Sequence, residues 1–237
     1  MTMVDQIAEK RAAAARSLDY VRAGQLVGLG SGSTAALMVE MLGERVRAGL
    51  DVRGVATSAA TRQLAEAAGV PLLPLEQVTR LDLTIDGADE VDQELRLIKG
   101  GGGALLHEKI VASASDRLIV IVDSSKLVAR LGRAPLPVEV VRAAGRLLRE
   151  KLKAQGCMPT LRLRTRGREP FVTAEGNHIL DCAFGEIADP ARLARVLADM
   201  PGLVEHGLFI EMADLVIVGR DAATEVLTRR TPGDQLA

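Results

Sequence analysis

The chain has no tryptophan, and its single tyrosine and three phenylalanines bring aromatic residues to only 2% of its 237 positions. It lacks the stacking platforms on which unpaired bases are held. Net charge is missing as well, since 30 Lys and Arg face 31 Asp and Glu for a formal charge of -1. No basic excess is available to neutralise a phosphate backbone, so nucleic acid is not an expected partner. No uncharged apolar run reaches the ~18 residues of a membrane span. Residues 1–20 mix Ala with Lys, Arg, Asp and Glu, unlike an export signal, and a cytoplasmic enzyme with no membrane partner is expected. The two cysteines, Cys157 and Cys182, lack metal-type spacing and the chain is too long to need staples, so both are expected as reduced thiols. His107, His178 and His206 are scattered and form no ligand cluster.

What the chain does have is a hydrophobic content of 48%, enough for a sizeable core, in an alternating order of elements. A helix is predicted over about 5–21, a strand over 25–29, the loop Gly30-Ser31-Gly32-Ser33-Thr34, and a helix from 35 to about 48. A second strand over 52–56 runs into Thr57-Ser58 and a helix to Gly69, and a third over 81–85 ends at Asp86. Leu118-Ile119-Val120-Ile121-Val122 is almost wholly β-branched, as a strand covered on both faces should be, and it ends in Asp123-Ser124-Ser125-Lys126. Every strand thus terminates in hydroxyl-bearing or charged residues.

The pattern changes near Gly132-Arg133-Ala134-Pro135. A strand at 138–141, a basic helix to about 155, the alternating Leu161-Arg162-Leu163-Arg164, a turn at Gly167, and apolar segments at 171–173 and 179–182 follow. Period-two alternation leaves one face wet, which predicts a small antiparallel sheet with helices on one side. Asp189-Pro190 is a helix start, and Leu215-Val216-Ile217-Val218 returns to the first sheet. The expected division is a large domain of residues 1–132 and 207–237, interrupted by a small domain at 133–206.

Gly30 to Ala35 satisfies the permissive dinucleotide pattern G-x-G-x-x-A between a strand and a helix. The ribose-binding acid should follow about 20 residues later, but Thr57 and Ser58 stand there. The residues suit a compact phosphate ester better, through backbone N–H groups, hydroxyls and the helix dipole, with a plain capped turn as the alternative. No Gly-Lys-Ser/Thr follows, which argues against a nucleoside triphosphate.

Lys99-Gly100-Gly101-Gly102-Gly103 is too costly entropically to be idle, and it leads into a good helix, so close backbone approach to a ligand is expected rather than a linker. On that helix Glu108 shares an arc with Ala104, Leu105, Val111 and Ala112. A carboxylate in an apolar setting tends toward a raised pKa, which suits a general base, although an i,i+4 partner or exposure at a frayed turn would also place a Glu there. Asp86-Gly87-Ala88-Asp89 is either an ordinary turn with Asp89 as a helix cap or a pair of sugar-facing carboxylates. A divalent metal between the two acids is disfavoured by the lack of a nearby His and by Lys99.

Gly30-Ser-Gly-Ser-Thr34, Asp86-Gly-Ala-Asp-Glu90, Lys99-Gly-Gly-Gly-Gly103 with Glu108-Lys109, Asp123-Ser-Ser-Lys126, Pro135-Leu-Pro-Val-Glu139 and Gly176-Asn-His-Ile-Leu-Asp181 together resemble the A-type ribose-5-phosphate isomerases. The resemblance runs from the first helix to the last strand. It implies interconversion of ribose 5-phosphate and ribulose 5-phosphate in the non-oxidative pentose phosphate pathway, with no metal or organic cofactor. It also implies a pentose phosphate as the small-molecule partner and a homo-oligomer, dimer or tetramer. By position Glu108 resembles the family's base, and Asp86, Asp89 and Lys99 its catalytic sugar contacts. Ser31, Gly32, Ser33, Thr34, Gly87, Ala88, Gly100, Gly101, Gly102 and Lys126 match substrate-binding positions, with Lys10 a further phosphate contact. Ser31 stands where many relatives have Thr, and His107 where Arg is common. The expected fold is α/β: a Rossmann-like, mostly parallel sheet with helices on both faces, plus a smaller inserted α+β domain of ferredoxin-like type. A sugar-phosphate sensor without turnover is the alternative function, and a coenzyme A transferase or a deaminating sugar-phosphate enzyme are others.

Overall fold

A computed structural model describes residues 3–165, 167–221 and 223–229. Parts of the expected large domain at 1–2, 222 and 230–237, and residue 166 of the expected small one, lie outside the described residues. In chain order the helix α1 (Met3–Ser17) leads to β1 (Leu26–Leu29), α2 (Ser33–Arg47), β2 (Arg53–Ala56), α3 (Ala59–Ala68) and β3 (Leu83–Asp86). Then come β4 (Glu90–Val91), β5 (Leu97–Ile98), α4 (Leu105–Ser113), β6 (Leu118–Asp123), β7 (Leu136–Val140) and α5 (Gly145–Ala154). The chain closes with β8 (Met158–Leu161), β9 (His178–Ala183), α6 (Pro190–Ala198), β10 (Leu203–His206), β11 (Leu208–Phe209), β12 (Leu215–Arg220) and β13 (Ala223–Thr228). Among the described residues no helix is long and apolar enough to cross a membrane.

Two compact units emerge, one within Met1–Ala88, His107–Leu127 and Glu211–Ala237, the other within Asp89–Leu106 and Val128–Ile210. The stretch 89–106 groups with the second unit, whereas the sequence pattern assigned it to the large domain. The reason is packing: β5 pairs with β4 and β11, Ile98 and Leu208 of these strands are buried in one core with Leu136, Val138 and Leu180, and the Gly207 N–H donates to the Pro137 carbonyl at 2.8 Å, so 128–132 and 207–210 group there too.

In the first unit the sheet order is β13-β12-β6-β3-β1-β2, parallel throughout except for the antiparallel edge strand β13. Its inner strands are buried, β6 along its whole length as its composition required, while the edge strand β13 is largely exposed. Alternation then sorts the side chains. Val27, Leu29, Leu83, Ile85, Ile119 and Ile121 pack with Ala13, Ala14 and Leu18 of the first helical segment, Met38 and Leu42 of α2, and Ala65 of α3. The opposite face carries Gly28, Thr84 and Asp86, with Val111 of α4 beside Gly28 and Thr84. Helices therefore cover both faces. The helix expected to reach residue 21 stops at Ser17 and continues as a single 3-10 turn over Leu18–Tyr20.

The second unit orders its larger sheet β10-β7-β9-β8, all antiparallel, with α5 after β7 and α6 after β9. That is the β-α-β-β-α-β ferredoxin-like arrangement. One face of the sheet, with Leu136, Val138, Val140, Leu180 and Cys182, packs on Leu148 and Leu152 of α5 and Leu197 of α6. Asp189 caps α6 by accepting the Arg192 N–H at 2.9 Å, with Pro190 at the first helical position. Cys157 and Cys182 are free and buried in this core, and the Cys182 thiol is pushed up by its hydrogen bond with Cys157 and by burial. Residues 171–173 do not form the expected strand. Only Val172 makes an isolated bridge, to His178, because Thr173 turns back to accept from Gly176.

Candidate active site

Asp86 ends β3 and is 1% exposed. Its Oδ1 accepts the backbone N–H groups of Ser31 (3.0 Å) and Gly87 (2.7 Å), so the acid is fixed to the loop after β1. The approach explains Gly30. A Cβ at that position would overlap the Asp86 carboxylate and lie 2.5 Å from its Cα. Gly32 follows with φ +101 and caps α2, leaving Gly32 and Ser33 exposed at the helix N-terminus. That combination of open backbone and helix dipole suits an anion. Thr34 is buried within α2.

Ser31 differs from the sequence picture in detail. Its hydroxyl lies 2.9 Å from Thr57 Oγ1, 2.8 Å from Ser58 Oγ and 3.1 Å from Thr61 Oγ1. Thr57 and Thr61 in turn donate to the carbonyls of Leu29 and Gly30. Four hydroxyls thus tie the loop to the end of β2 and the start of α3. Thr57-Ser58, which weakened the dinucleotide reading, are part of this brace.

Glu108 lies on α4 and is 5% exposed, with its Oε2 buried. It sits one turn before Val111, which packs beside Thr84, while Ser115, past the other end of α4, bonds Thr84 Oγ1 at 2.6 Å. The helix therefore runs antiparallel to β3, and Glu108 faces the end of the strand that carries Asp86.

Lys126 closes the 3-10 turn after β6, and Asp123 caps that turn by accepting from the Ser125 N–H at 3.1 Å and from its hydroxyl. Lys10 Nζ is 3.9 Å from Asp123 Oδ2. No local pattern signals why α1 should come here. Its residue Glu9, buried, accepts the Ser124 N–H at 2.8 Å and the Ser124 hydroxyl. Lys10 is carried to the Asp123–Lys126 turn by that anchor.

In the second unit Asp89 does not cap a helix, because β4 follows it. Its N–H donates to the Ile98 carbonyl and its Oδ2 accepts the Gly101 N–H at 2.7 Å. Lys99 is 3% exposed, with Nζ 5.5 Å from the centre of the buried Phe209 ring. Gly100 and Gly103 have φ of +102 and +85, while Gly101 and Gly102 are exposed. Arg162, Asp181 and Phe171 complete this loop and were not singled out from sequence. Arg162 Nη1 donates to the carbonyls of Gly100 (2.9 Å) and Gly101 (3.1 Å). The only signals were the Leu-Arg-Leu-Arg alternation and the Asp ending Gly176–Asp181. Among the described residues no group of three His, Cys, Asp or Glu is placed to hold a metal ion.

The family model for ribose 5-phosphate isomerase A (phosphoriboisomerase A) matches residues 53–223. This chain belongs to the ribose 5-phosphate isomerase A family. A ribose-5-phosphate isomerase A from Sphingopyxis alaskensis is 52% identical over 227 residues, spanning 96% of this chain and 99% of that protein. Another, from Rhodopseudomonas palustris, is 56% identical over 214 residues, 88% of this chain and 92% of its own. Among solved structures, the ribose 5-phosphate isomerase A of Methanocaldococcus jannaschii is 40% identical with a TM-score of 0.89, covering 92% of this chain and 97% of that one. A D-ribose-5-phosphate isomerase in complex with phospho-erythronic acid gives a TM-score of 0.92 at 38% identity, over 94% and 99% of the two chains. The isomerase A family membership thus covers both units of the fold.

Proposed function

We propose that this enzyme interconverts D-ribose 5-phosphate and D-ribulose 5-phosphate by proton transfer through an enediolate. The observation that carries the reading is Glu108, a buried carboxylate on α4 facing the strand end at which Asp86 is held by two backbone N–H groups. Glu108 takes the proton from carbon 2 of the open-chain aldose and returns it to carbon 1, and the hydroxyl proton moves between the two oxygens. Asp86, Asp89 and Lys99 act on the sugar oxygens, in ring opening and in balancing the charge of the enediolate. The exposed backbone of Gly102 supplies an N–H donor to the developing oxyanion, while the Gly101 N–H holds the Asp89 carboxylate.

The phosphate is assigned to the start of α2 at Gly32, Ser33 and Thr34, with Lys126 and Lys10 as its cations. Ser31, Gly87 and Ala88 shape the surrounding backbone. The reaction needs no metal or organic cofactor. We further place it in the cytoplasm, in the non-oxidative pentose phosphate pathway, and assign a homo-oligomeric state as in the family resemblance.

The test is ribulose 5-phosphate formation from ribose 5-phosphate with a chelator present, wild type against Glu108→Gln. The variant is expected to lose about 1,000-fold or more in kcat, with substrate affinity within about threefold of wild type. A fully active Glu108→Gln enzyme would refute the base, and a wild type that binds but does not turn over would refute the reaction.

A further inference from the structure

The four glycines between Lys99 and Ala104 have no side-chain heavy atoms to fix their shape, and their backbone is held from outside by Asp89, which accepts the Gly101 N–H, and by Arg162, which takes two of their carbonyls, with a turn bond of 3.0 Å from the Gly103 N–H to the Gly100 carbonyl within the loop. Arg162 follows β8, with its own N–H donated to the Ile179 carbonyl at 2.9 Å and its carbonyl accepting the Phe171 N–H at 2.8 Å. Its guanidinium is anchored on Asp181, Nε to Oδ2 at 2.9 Å and Nη2 to Oδ1 at 2.5 Å. It also lies 5.9 Å from the Phe171 ring centre. A planar fork fixed in this way has one edge left, and that edge meets the Gly100 and Gly101 carbonyls.

The carbonyl of Gly100 shares a peptide plane with the N–H of Gly101, and the carbonyl of Gly101 shares one with the N–H of Gly102. In a trans peptide the two groups point in opposite directions. Arg162 draws both carbonyls to itself, sharing that of Gly100 with the Gly103 N–H and holding that of Gly101, and so turns both N–H groups the other way. The Gly101 N–H is delivered to Asp89 Oδ2, and Gly102 is left exposed. The adjacent positive charge also polarises both peptides and strengthens their N–H groups as donors.

We infer that Arg162, anchored by Asp181, is the positioning residue that aims the Gly101 and Gly102 N–H groups and thereby orients Asp89. As a contribution to catalysis this rests on the isomerase reading above. The Arg162 guanidinium spends its hydrogen bonds on Asp181 and on the two glycine carbonyls, so its effect falls on transition-state stabilisation more than on substrate affinity.

The test compares wild type with Arg162→Ala and Asp181→Asn. Arg162→Ala is expected to lower kcat for ribose 5-phosphate by about 10-fold to 100-fold with KM within about threefold. Added guanidinium ion should restore part of that loss, and sodium chloride at equal ionic strength should not. A folded Arg162→Ala enzyme with kcat within about twofold of wild type overturns the inference, as does equal recovery with either salt. Should that variant fail to fold, Asp181→Asn carries the test: a fall in kcat at constant KM supports the inference and wild-type kcat overturns it. Amide resonances of Gly101 and Gly102 provide a readout independent of turnover. If the wild type does not isomerise ribose 5-phosphate, the proposed function fails, while displacement of these resonances in Arg162→Ala and their return with guanidinium still support the orienting role; unmoved resonances overturn it.

Discussion

The loop after β1 and the loop after β5 each present backbone ahead of a helix, but they are held by different means. At Gly30–Thr34 the fixing group is near in space because parallel strands place it there: β1 and β3 are neighbours, so Asp86 meets the Ser31 N–H, and hydroxyls from the end of β2 brace the other side. At Gly100–Gly103 the fixing group is a cation about sixty positions later, Arg162 just past the end of β8, acting on carbonyls. The first loop is fixed by a carboxylate that accepts its Ser31 N–H and the second by a cation drawing on its carbonyls, and each holds both a crowded glycine, Gly30 or Gly103, and an open one, Gly32 or Gly102. Glycine accordingly means different things at different positions. Gly30 is small because a carboxylate and a backbone atom occupy its side-chain space, whereas Gly102 has nothing within 4 Å of where a Cβ would sit.

Gly30→Ala attacks that difference most directly. With Asp86 backbone in the way, the expected cost is about 3 kcal/mol, the upper range for overpacking. Displacement of Asp86 should lower kcat by about 100-fold. Urea unfolding and steady-state kinetics check both.

Gly103→Ala comes next, since a Cβ would overlap the Phe171 ring and lie 2.6 Å from its Cε1, at a φ of +85. The ring can shift in part, so about 2 kcal/mol is expected from urea unfolding. Ser31→Ala removes a hydroxyl from a four-member cluster while keeping the N–H bond to Asp86. A loss of about 1 kcal/mol is expected. Activity should stay within about threefold of wild type, in contrast to Gly30→Ala.

Gly102→Ala should be nearly silent in stability, below about 0.5 kcal/mol by urea unfolding. If it costs as much as Gly30→Ala or Gly103→Ala, the contrast between open and crowded glycines is wrong.

Much of the architecture is legible in the order of residues alone. The strand β6 is five consecutive Leu, Ile and Val residues ending in Asp123, and such a run has few alternatives to a strand covered on both faces. Asp189-Pro190 announces α6 through capping chemistry that is local in sequence. The two-residue strands β4, β5 and β11 are not legible, because no periodicity can be read from two positions and their existence depends on one another. For the same reason the passage of the chain between units, at Ala88–Asp89 and at Leu106–His107, falls inside motifs that read as single features in the sequence. The edge strand β13, with Glu225 and Val226 both exposed, carries too weak an alternation to stand out.

The sequence by itself determined the chemistry available: which acids, lysines and glycines follow which strands, and that Glu108 sits on an apolar helical arc. Those properties are set by residue type and by spacings of a few positions, which local backbone geometry translates directly into direction. Only the tertiary structure decided that Ser31 spends its hydroxyl on Thr57, Ser58 and Thr61, that Glu9 draws Lys10 to the Asp123–Lys126 turn, and that Arg162 grips the glycine carbonyls. Each of these joins residues 26 to 115 positions apart. Such pairings depend on the order of strands in a sheet, which no local pattern encodes.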